Sequence, residues 1–284
     1  MKIIKASRLG FCFGVKEAIS TTEQVLKEKK YPVQFLGSLV HNELVIERFL
    51  RQGIVFIKKP EQIKKGVVII QAHGFAPFEN KLKREIIVKD ATCRLVKKVR
   101  NLARALESQN YKIIILGDKN HAEIKGIQGY LKYKMIVIKN ENRAKKLGFR
   151  QNKKIAFISQ TTQNTDKFKT ISKILKKKYK NIRIINTICP EVQTRQKEAK
   201  LIIKQADMIL LIGSAFSANT RELYAIVKKE GKPVLFVNSL KQVKQQRACL
   251  KNSCNKKNIC LGIISGTSAD NSEIKKIIRY IHQC

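Results

Sequence analysis

The sequence predicts an α/β protein built from three quasi-repeated modules, each with a small, mostly parallel sheet. Two observations support this fold class. Short runs of Ile, Val and Phe alternate with amphipathic helical stretches, and a pattern of strand, short turn, cysteine and helix occurs three times. Strands that alternate with helices are typical of βαβ units. Ligands of parallel sheets bind beyond the carboxyl ends of the strands, so we expect functional residues in the loops there.

The apolar runs have the length of strands, and the amphipathic stretches have the length of helices. Strands are predicted at 33–36, 67–71, 112–116, 154–158, 182–185, 208–212, 234–237 and 260–264. Helices are predicted at 15–29, 95–109, 166–178, 192–205, 219–229 and 272–281.

Each repeat places one cysteine after a strand and directly before a helix. The three cysteines are Cys12, Cys93 and Cys189, in the segments KIIKASRLGFCFGVKEAI, EIIVKDATCRLVKKVR and IRIINTICPEVQTRQKE. After each helix a further strand ends in Gly and a polar turn, at a nearly constant distance from the cysteine. We therefore predict three modules, at residues 1–93, 94–189 and 190–284, the last with a C-terminal tail.

The strongly basic composition bears on partners and solubility rather than on the fold. Lys and Arg number 59 against 21 acidic residues, for a formal net charge of +38. The Lys residues are dispersed and aromatic residues make up only 7%, which makes nucleic acid an unlikely partner. Compositional drift explains most of the charge, and a preference for acidic ligands or acidic protein partners is the alternative. No apolar run is long enough for a membrane span, and no signal peptide is evident, so we expect a cytoplasmic protein.

The repeat suggests what its cysteines could do. A threefold arrangement of the modules would bring Cys12, Cys93 and Cys189 to one centre, and each precedes a helix, whose dipole favours a thiolate. Three thiolates without an evident fourth suit an iron–sulfur cluster with one unprotected iron, or zinc with an open position. Three half-buried thiols that merely cap helices are the alternative. We expect the sheets to lie around a central metal-cluster site.

The other cysteines form no convincing site. Cys249, Cys254 and Cys260 lie in a Lys-rich stretch at a spacing that matches no common zinc pattern, so their role stays open. Cys284 is expected to be free.

Polar side chains cluster in the predicted carboxyl-edge loops. Three of the four histidines lie there, and protonated His together with small hydroxyl and amide groups would suit a phosphate. Glu123 lies two residues after His121, and a carboxylate in an anion-binding site is unfavourable unless it transfers a proton. The alternative is that Glu123 only starts a helix, where the helix dipole favours it. The candidates are His41, His73, His121, Glu123, Thr161, Thr162, Ser217, Asn219 and Ser268.

Nine motifs in register resemble the 4-hydroxy-3-methylbut-2-enyl diphosphate reductase family. They are GFCFGV at 10–15, VHNE at 40–43, AHG at 72–74, DATC at 90–93, NHAEIKG at 120–126, QTT at 160–162, TIC with TRQ at 187–196, SAN at 217–219 and SGTSAD at 265–270. Single motifs of this kind mean little, whereas nine in order from residue 10 to about 280 are highly specific.

The resemblance implies a trilobed α/β enzyme with one oxygen-sensitive [4Fe–4S] cluster per chain. Such an enzyme removes the allylic hydroxyl of its diphosphate substrate with two electrons and two protons, which gives isopentenyl and dimethylallyl diphosphate, the last step of the methylerythritol phosphate route. The fourth iron of the cluster would bind the substrate hydroxyl. The electrons would come from a small acidic carrier, a ferredoxin or a flavodoxin, and no membrane is involved.

The resemblance also implies a role for each candidate residue. Cys12, Cys93 and Cys189 would ligate the cluster, and Glu123 would deliver protons. Thr161 and Thr162 would lie beside the substrate hydroxyl. The diphosphate would be held by His41, His73, His121, Ser217, Asn219 and Ser268.

Three positions depart from the pattern of the family. Ala218 replaces a second Ser, so one hydrogen bond to the diphosphate is expected to be lost, at about 0.5–1.5 kcal/mol. Arg94 replaces a Pro after DATC, and Asp270 replaces a Pro and adds a negative charge near the diphosphate loop. A zinc hydrolase that uses the same cysteines, and a nucleic-acid-binding protein, are the rival functions.

Overall fold

The computed structural model describes residues 1–28, 32–78, 82–149, 153–246 and 259–283. The strands of this part are β1 Lys2–Lys5, β2 Val33–Leu36, β3 Val55–Ile57, β4 Val67–Ile70, β5 Ile87–Asp90, β6 Lys112–Leu116, β7 Ile136–Ile138, β8 Ile155–Ser159, β9 Ile182–Ile184, β10 Met208–Ile212, β11 Val234–Val237 and β12 Cys260–Ser265. The helices are α1 Phe13–Glu28, α2 Glu43–Arg51, α3 Arg94–Ser108, α4 Ala122–Gly129, α5 Glu141–Lys145, α6 Thr165–Lys178, α7 Pro190–Gln205, α8 Ala218–Lys229, α9 Leu240–Gln245 and α10 Asn271–His282, with a 3₁₀ turn at Pro60–Gln62.

The strands form three sheets of four strands each, and every strand pair is parallel. The sheet orders are β3-β2-β4-β5, β7-β6-β8-β9 and β1-β12-β10-β11. This confirms the predicted fold class of three small parallel-sheet α/β modules. The central strands are mainly apolar and mostly buried, as in other parallel sheets that are covered on both faces.

The first strand of the chain does not pair within the first 93 residues. β1 lies beside β12, with Lys2 in register with Cys260 and Lys5 with Ile263. The sheet that it completes is therefore built mainly from the last third of the sequence. The module boundaries at 93 and 189 stay a prediction.

The chain divides into two compact units. One unit comprises Met1–Phe13, His41–Glu47 and Pro190–Cys284, and the other comprises Gly14–Val40 and Arg48–Cys189. We call them the β12 unit and the β2 unit after the strands that they contain.

The sheet of the β12 unit is packed on both faces by helices. One face buries apolar residues of α7 and α8, among them Ile203 and Leu223, against Ile209 and Leu211. The other face buries Val243 of α9 and Ile277 of α10 against the alternate residues of the same strands. Alternate residues of the strands thus pack against two helix layers, and the loops after the strands are available for functional residues.

In the β2 unit, the sheet that contains β6 and β8 packs against α3 and α4 through residues such as Val99, Leu106 and Ile127. Phe168 of α6 stacks on Phe157 of β8, with ring centroids 4.9 Å apart. The sheet that contains β2 and β4 has a core that includes Leu36 and Ile70. Within the described residues, no helix is both long and apolar enough to span a bilayer.

Candidate active site

Each of the three repeated cysteines lies at the amino end of a helix, as predicted. Cys93 is the N-cap residue of α3, Cys12 precedes the first residue of α1, and Cys189 directly precedes α7. All three thiols are half-buried and form no disulfide. Their backbone N–H groups donate to the loops after other strands, Cys93 to the carbonyl of Ala72 at 2.9 Å and Cys189 to that of Thr161 at 2.8 Å.

In the β2 unit, one of these thiols packs closely against a glycine. Gly14 lies in the first turn of α1, and a Cβ atom at this position would come within 2.5 Å of Cys93 Sγ. Any side chain larger than hydrogen would displace the thiol. Thiolate sulfur is the ligand type of iron–sulfur clusters, and a half-buried thiol at a helix terminus, outside any disulfide, fits that role. The residues present therefore fit the cluster that the motifs imply.

Two of the predicted histidines meet in the β2 unit. His73 follows β4, His121 is the N-cap residue of α4, and their ring centroids are 5.2 Å apart in an edge-to-face arrangement. Nδ1 of His121 accepts the N–H of Glu123 at 3.2 Å. Because Nδ1 accepts this bond, the neutral form of the ring would hold its proton on Nε2.

Glu123 is fully buried, with 0% of its surface exposed. One carboxyl oxygen accepts the N–H of Thr161 at 2.8 Å, and the other accepts the Thr161 hydroxyl at 2.7 Å. Burial raises the pKa of Glu123 from 4.5 to about 7, and the two bonds from Thr161 oppose the rise. The carboxyl group is thus half-protonated near neutral pH, which suits a proton donor. The neighbouring Thr162 is half-buried and accepts a hydrogen bond from Gln160 at 2.9 Å.

The β12 unit contains His41, which lies between β2 and α2. Its carbonyl accepts the hydroxyl of Ser268 at 3.0 Å, and the next residue, Asn42, donates to the Ser268 carbonyl at 2.6 Å. These two bonds fix the VHNE segment to the loop after β12. They place His41 and Ser268 next to each other, as expected if both residues bind the diphosphate.

The electrostatic surroundings of His41 favour its neutral form. Burial lowers the pKa of the imidazole, the positive charge of Arg221 lowers it further, and Glu43 opposes both. Glu43 itself accepts hydrogen bonds from Ser214 at 3.1 Å and from Asn238 at 2.7 Å. A bound anion would reverse the balance, because a nearby negative charge favours the imidazolium.

Ser217 and Asn219 lie at the start of α8. Ser217 is the N-cap residue and accepts the N–H of Thr220, which leaves its hydroxyl proton available. Asn219 is 1% exposed, and neither polar atom of its amide has a hydrogen-bond partner among the described residues. Buried amides are almost always hydrogen-bonded. An unpaired amide beside a helix N-terminus therefore points to a ligand with acceptor atoms, such as a phosphate.

The structure accounts for the three departures from the family pattern. Ala218 and Arg94 are the first residues of α8 and α3, and both helices form without the usual Ser and Pro. Asp270 is the N-cap residue of α10, and its carboxylate accepts the N–H of Ser272 at 2.7 Å. The extra negative charge is thus bound by a helix terminus.

Sequence reasoning assigned no role to Arg195 in the TRQ motif. This arginine is 3% exposed and forms an ion pair with Glu191, four residues earlier in α7, at 2.9 Å. The i,i+4 spacing was the signal available in the sequence, although such pairs are usually on the surface. Of the remaining cysteines, Cys260 is buried in β12, whereas Cys249, Cys254 and Cys284 lie outside the described residues.

These features define a parallel α/β protein whose thiols, histidines and buried carboxyl group follow the carboxyl ends of its strands. A sequence profile described as LytB protein matches residues 3–282. Similar curated proteins named 4-hydroxy-3-methylbut-2-enyl diphosphate reductase come from Dictyoglomus thermophilum, 37% identical over 97% of this chain and 94% of the relative, and from Dictyoglomus turgidum, 38% identical over 98% and 95%. The chain therefore belongs to the LytB family, which confirms the resemblance.

Two solved structures are similar to this fold. One is the E-1-hydroxy-2-methyl-but-2-enyl-4-diphosphate reductase from Plasmodium falciparum, with a TM-score of 0.89, 30% identity and coverage of 98% of this chain and 87% of that one. The other is described as (E)-4-hydroxy-3-methyl-but-2-enyl diphosphate reductase, the terminal enzyme of the non-mevalonate pathway, with a TM-score of 0.70, 32% identity and coverage of 100% and 99%.

Proposed function

We propose that this chain is an oxidoreductase that converts 4-hydroxy-3-methylbut-2-enyl diphosphate into isopentenyl and dimethylallyl diphosphate. Two electrons and two protons enter, the allylic C–O bond breaks, and water leaves. The observation that supports the proposal most strongly is the extent of the LytB match. It runs from residue 3 to residue 282 and so includes every candidate residue from Cys12 to Ser268.

Cys12, Cys93 and Cys189 would hold one [4Fe–4S] cluster through their thiolates. When bound, such a cluster supplies electrons and an iron that polarises the substrate hydroxyl. Three protein ligands would leave one iron of such a cluster without a protein ligand. Each thiol lies at a helix N-terminus, and Cys93 Sγ packs directly against Gly14.

The diphosphate would be bound by His41, His73, His121, Ser217, Asn219 and Ser268. The unpaired amide of Asn219 and the Nε2 proton of His121 are donors suited to phosphate oxygens. Protonation of His41 on binding would add a charge-assisted hydrogen bond, which is stronger than a neutral one. Binding at the diphosphate end would orient the allylic carbon for reduction.

Glu123 would deliver a proton to the departing hydroxyl. Its raised pKa supplies a protonated carboxyl group at neutral pH, and the hydroxyl of Thr161 can turn to accept from it when it is protonated. Thr162 would lie beside the substrate hydroxyl. Donation by a positioned acid typically accelerates a step by about 10²–10⁴.

The electron donor we propose is a small acidic protein, a ferredoxin or a flavodoxin. The net charge of +38 would attract such a carrier over long range. We propose the cytoplasm as the compartment, because the free thiols of Cys12, Cys93 and Cys189 persist in a reducing environment.

Metal analysis of protein purified without oxygen tests the proposed function. We expect brown protein with about four irons per chain, and turnover of the allylic diphosphate with a chemical reductant. Replacement of Cys12, Cys93 or Cys189 by Ser should lower the iron content, whereas Cys260→Ser is the matched control. Colourless protein with stoichiometric zinc would contradict the proposal and favour a hydrolase.

A second measurement separates substrate binding from chemistry. His41→Asn and His73→Asn remove groups proposed to hold the diphosphate, so we expect KM to rise more than kcat falls. A fall in kcat at unchanged KM would contradict the binding role.

A further inference from the structure

One buried guanidinium joins three separate segments of the β12 unit. Arg195 extends from α7, and its Nη2 donates to the carbonyl of Gly10 at 2.7 Å. Its Nη1 donates to the carbonyl of Ser265 at 3.1 Å, to the Ser265 hydroxyl at 3.2 Å and to the carbonyl of Gly266 at 3.0 Å. Nε donates to Glu191 at 3.0 Å, so each nitrogen of the guanidinium has a partner.

The first joined segment leads directly to Cys12. Arg195 contacts the carbonyl of Gly10, and the N–H of the same glycine donates to the Ser265 hydroxyl at 2.9 Å. The next two N–H groups are also bound, that of Phe11 by Asn271 at 2.8 Å and that of Cys12 by the Thr267 carbonyl at 2.9 Å. The backbone before the thiol is therefore held at every residue.

The second joined segment leads to Ser268. Ser265 is the last residue of β12 and Gly266 follows it; two residues after Gly266, the Ser268 hydroxyl donates to the carbonyl of His41 at 3.0 Å. Arg195 thus lies between the backbone that bears a proposed cluster ligand and the loop that bears a proposed diphosphate ligand.

The chemistry of the Arg195 guanidinium suits a role in positioning the two segments better than a role in stabilising the fold. A buried ion pair such as Arg195–Glu191 contributes little net stability, because desolvation offsets the attraction. The planar fork of arginine, however, fixes the relative positions of several carbonyl groups at once, and the point charge of lysine cannot reproduce it. Four of the hydrogen bonds that Arg195 donates go to the segment before Cys12 and the segment before Ser268.

We propose that Arg195 is a positioning residue that holds the Cys12 segment and the Ser268 loop in one fixed arrangement. The inference rests on the proposed function. It names one residue on which both cluster retention and diphosphate binding depend. Loss of the fork should weaken cluster retention and diphosphate binding together. Neither Cys12 nor Ser268, replaced alone, should affect both.

The test compares Arg195→Lys with the parent protein as anaerobically loaded holoenzyme. The readouts are the rate of iron loss to a chelator, the Kd for inorganic diphosphate, and hydrogen exchange at residues 10–12 and 266–268. We expect iron loss and Kd each to rise by roughly tenfold, the scale of one charged hydrogen bond. Exchange should accelerate at these two segments and not across the unit.

Two control variants separate positioning from general destabilisation. Arg48→Lys changes an exposed arginine that pairs with Glu23 at 3.0 Å and should change none of the readouts. Ile277→Val removes one methyl group from the core beneath α10, lowers global stability, and leaves the hydrogen bonds of Arg195 in place. If Ile277→Val matches Arg195→Lys in iron loss and Kd, the effect is general destabilisation and the proposal is overturned.

A third variant decides the matter if Arg195→Lys does not fold. Ser265→Ala keeps the buried charge paired but removes the hydroxyl that joins Gly10 to Arg195. It should shift iron loss and Kd in the same direction by a smaller factor, and unchanged values would overturn the proposal. A parent protein that holds no iron and binds no diphosphate would instead refute the proposed function.

Discussion

At the scale of single residues, Glu123 shows most directly how burial sets chemistry. If this carboxyl group donates a proton, Glu123→Gln keeps its shape and hydrogen-bonding capacity but removes the acid. We expect substrate to bind and kcat to fall by roughly 10²–10⁴. Steady-state kinetics check this, with Glu141→Gln, an exposed Glu at the start of α5, as the matched control. A near-normal kcat would mean that Glu123 only begins a helix.

The same carboxyl group predicts how stability depends on pH. Burial raises its pKa to about 7 in the folded protein, against an ordinary value of 4.5. Between these values the folded protein binds a proton that the unfolded chain has released. The free energy of unfolding should therefore fall as pH rises from 4.5 to 7, by about 3 kcal/mol at most, and level off above 7.

Urea denaturation of metal-free protein at several pH values measures this contribution. The difference between the parent protein and Glu123→Gln should decrease across the window, since Gln does not titrate. A difference that stays constant from pH 4.5 to 8 would show that Glu123 keeps an ordinary pKa.

At the scale of elements, the long helices and central strands could be predicted, as could the edge strands β9 and β11, whereas several other short elements could not. β3 and β7 are three-residue edge strands, too short to show a period, and α2, α4, α5 and α9 were also missed. The predicted strands and helices otherwise agree to within one or two residues at most ends. The pairing of β1 with β12 depends on contacts across the whole sequence, which local patterns do not contain.

Gly14 gives a prediction at the level of α1. Replacement of a helical glycine by alanine normally stabilises a helix by about 1 kcal/mol. Here the new Cβ would come within 2.5 Å of Cys93 Sγ. We therefore expect Gly14→Ala to lower the iron content while the helix content is kept.

The control for this variant is Gly148→Ala, because a Cβ at Gly148 meets no described atom within 4 Å. Iron analysis and far-UV circular dichroism of both variants check the prediction. Equal iron contents in the two variants would show that the close packing of Gly14 against Cys93 Sγ is not needed for the cluster.

At the scale of the whole molecule, the charge of +38 bears on how electrons arrive. Attraction between a basic enzyme and an acidic carrier is screened by salt, with a Debye length of about 10 Å at 0.1 M. We expect turnover with a protein donor to fall steeply between about 50 and 300 mM salt. Turnover with an uncharged chemical reductant should change much less.

Both assays should be run at saturating substrate, because salt also weakens diphosphate binding. Equal salt dependence with the two reductants would show that the charge is compositional drift. The dispersed Lys residues still favour drift as the main origin of the charge.

The sequence was enough to predict which residues form the candidate site, but not their burial or their contacts. Motif order was enough to select Cys93, His121 and Glu123. The burial of Glu123 and the close packing of Gly14 against Cys93 Sγ arise from chain segments that are distant in sequence. The contacts of Arg195 arise in the same way, with acceptors in residues 10 and 265–266.

The pairing of β1 with β12 also constrains the order in which the molecule can be made. Residues 2–5 leave the ribosome early, yet the strand that they pair with is residues 260–265. Until that segment is synthesised, β1 has no partner in its sheet, and the backbone that follows it to Cys12 lacks the bond from its N–H to Thr267. Pairing across such a sequence separation is intrinsically slow. Cys12 can thus reach its final place only after residues 260–267 have emerged, and the proposed cluster would be completed only after that segment is synthesised.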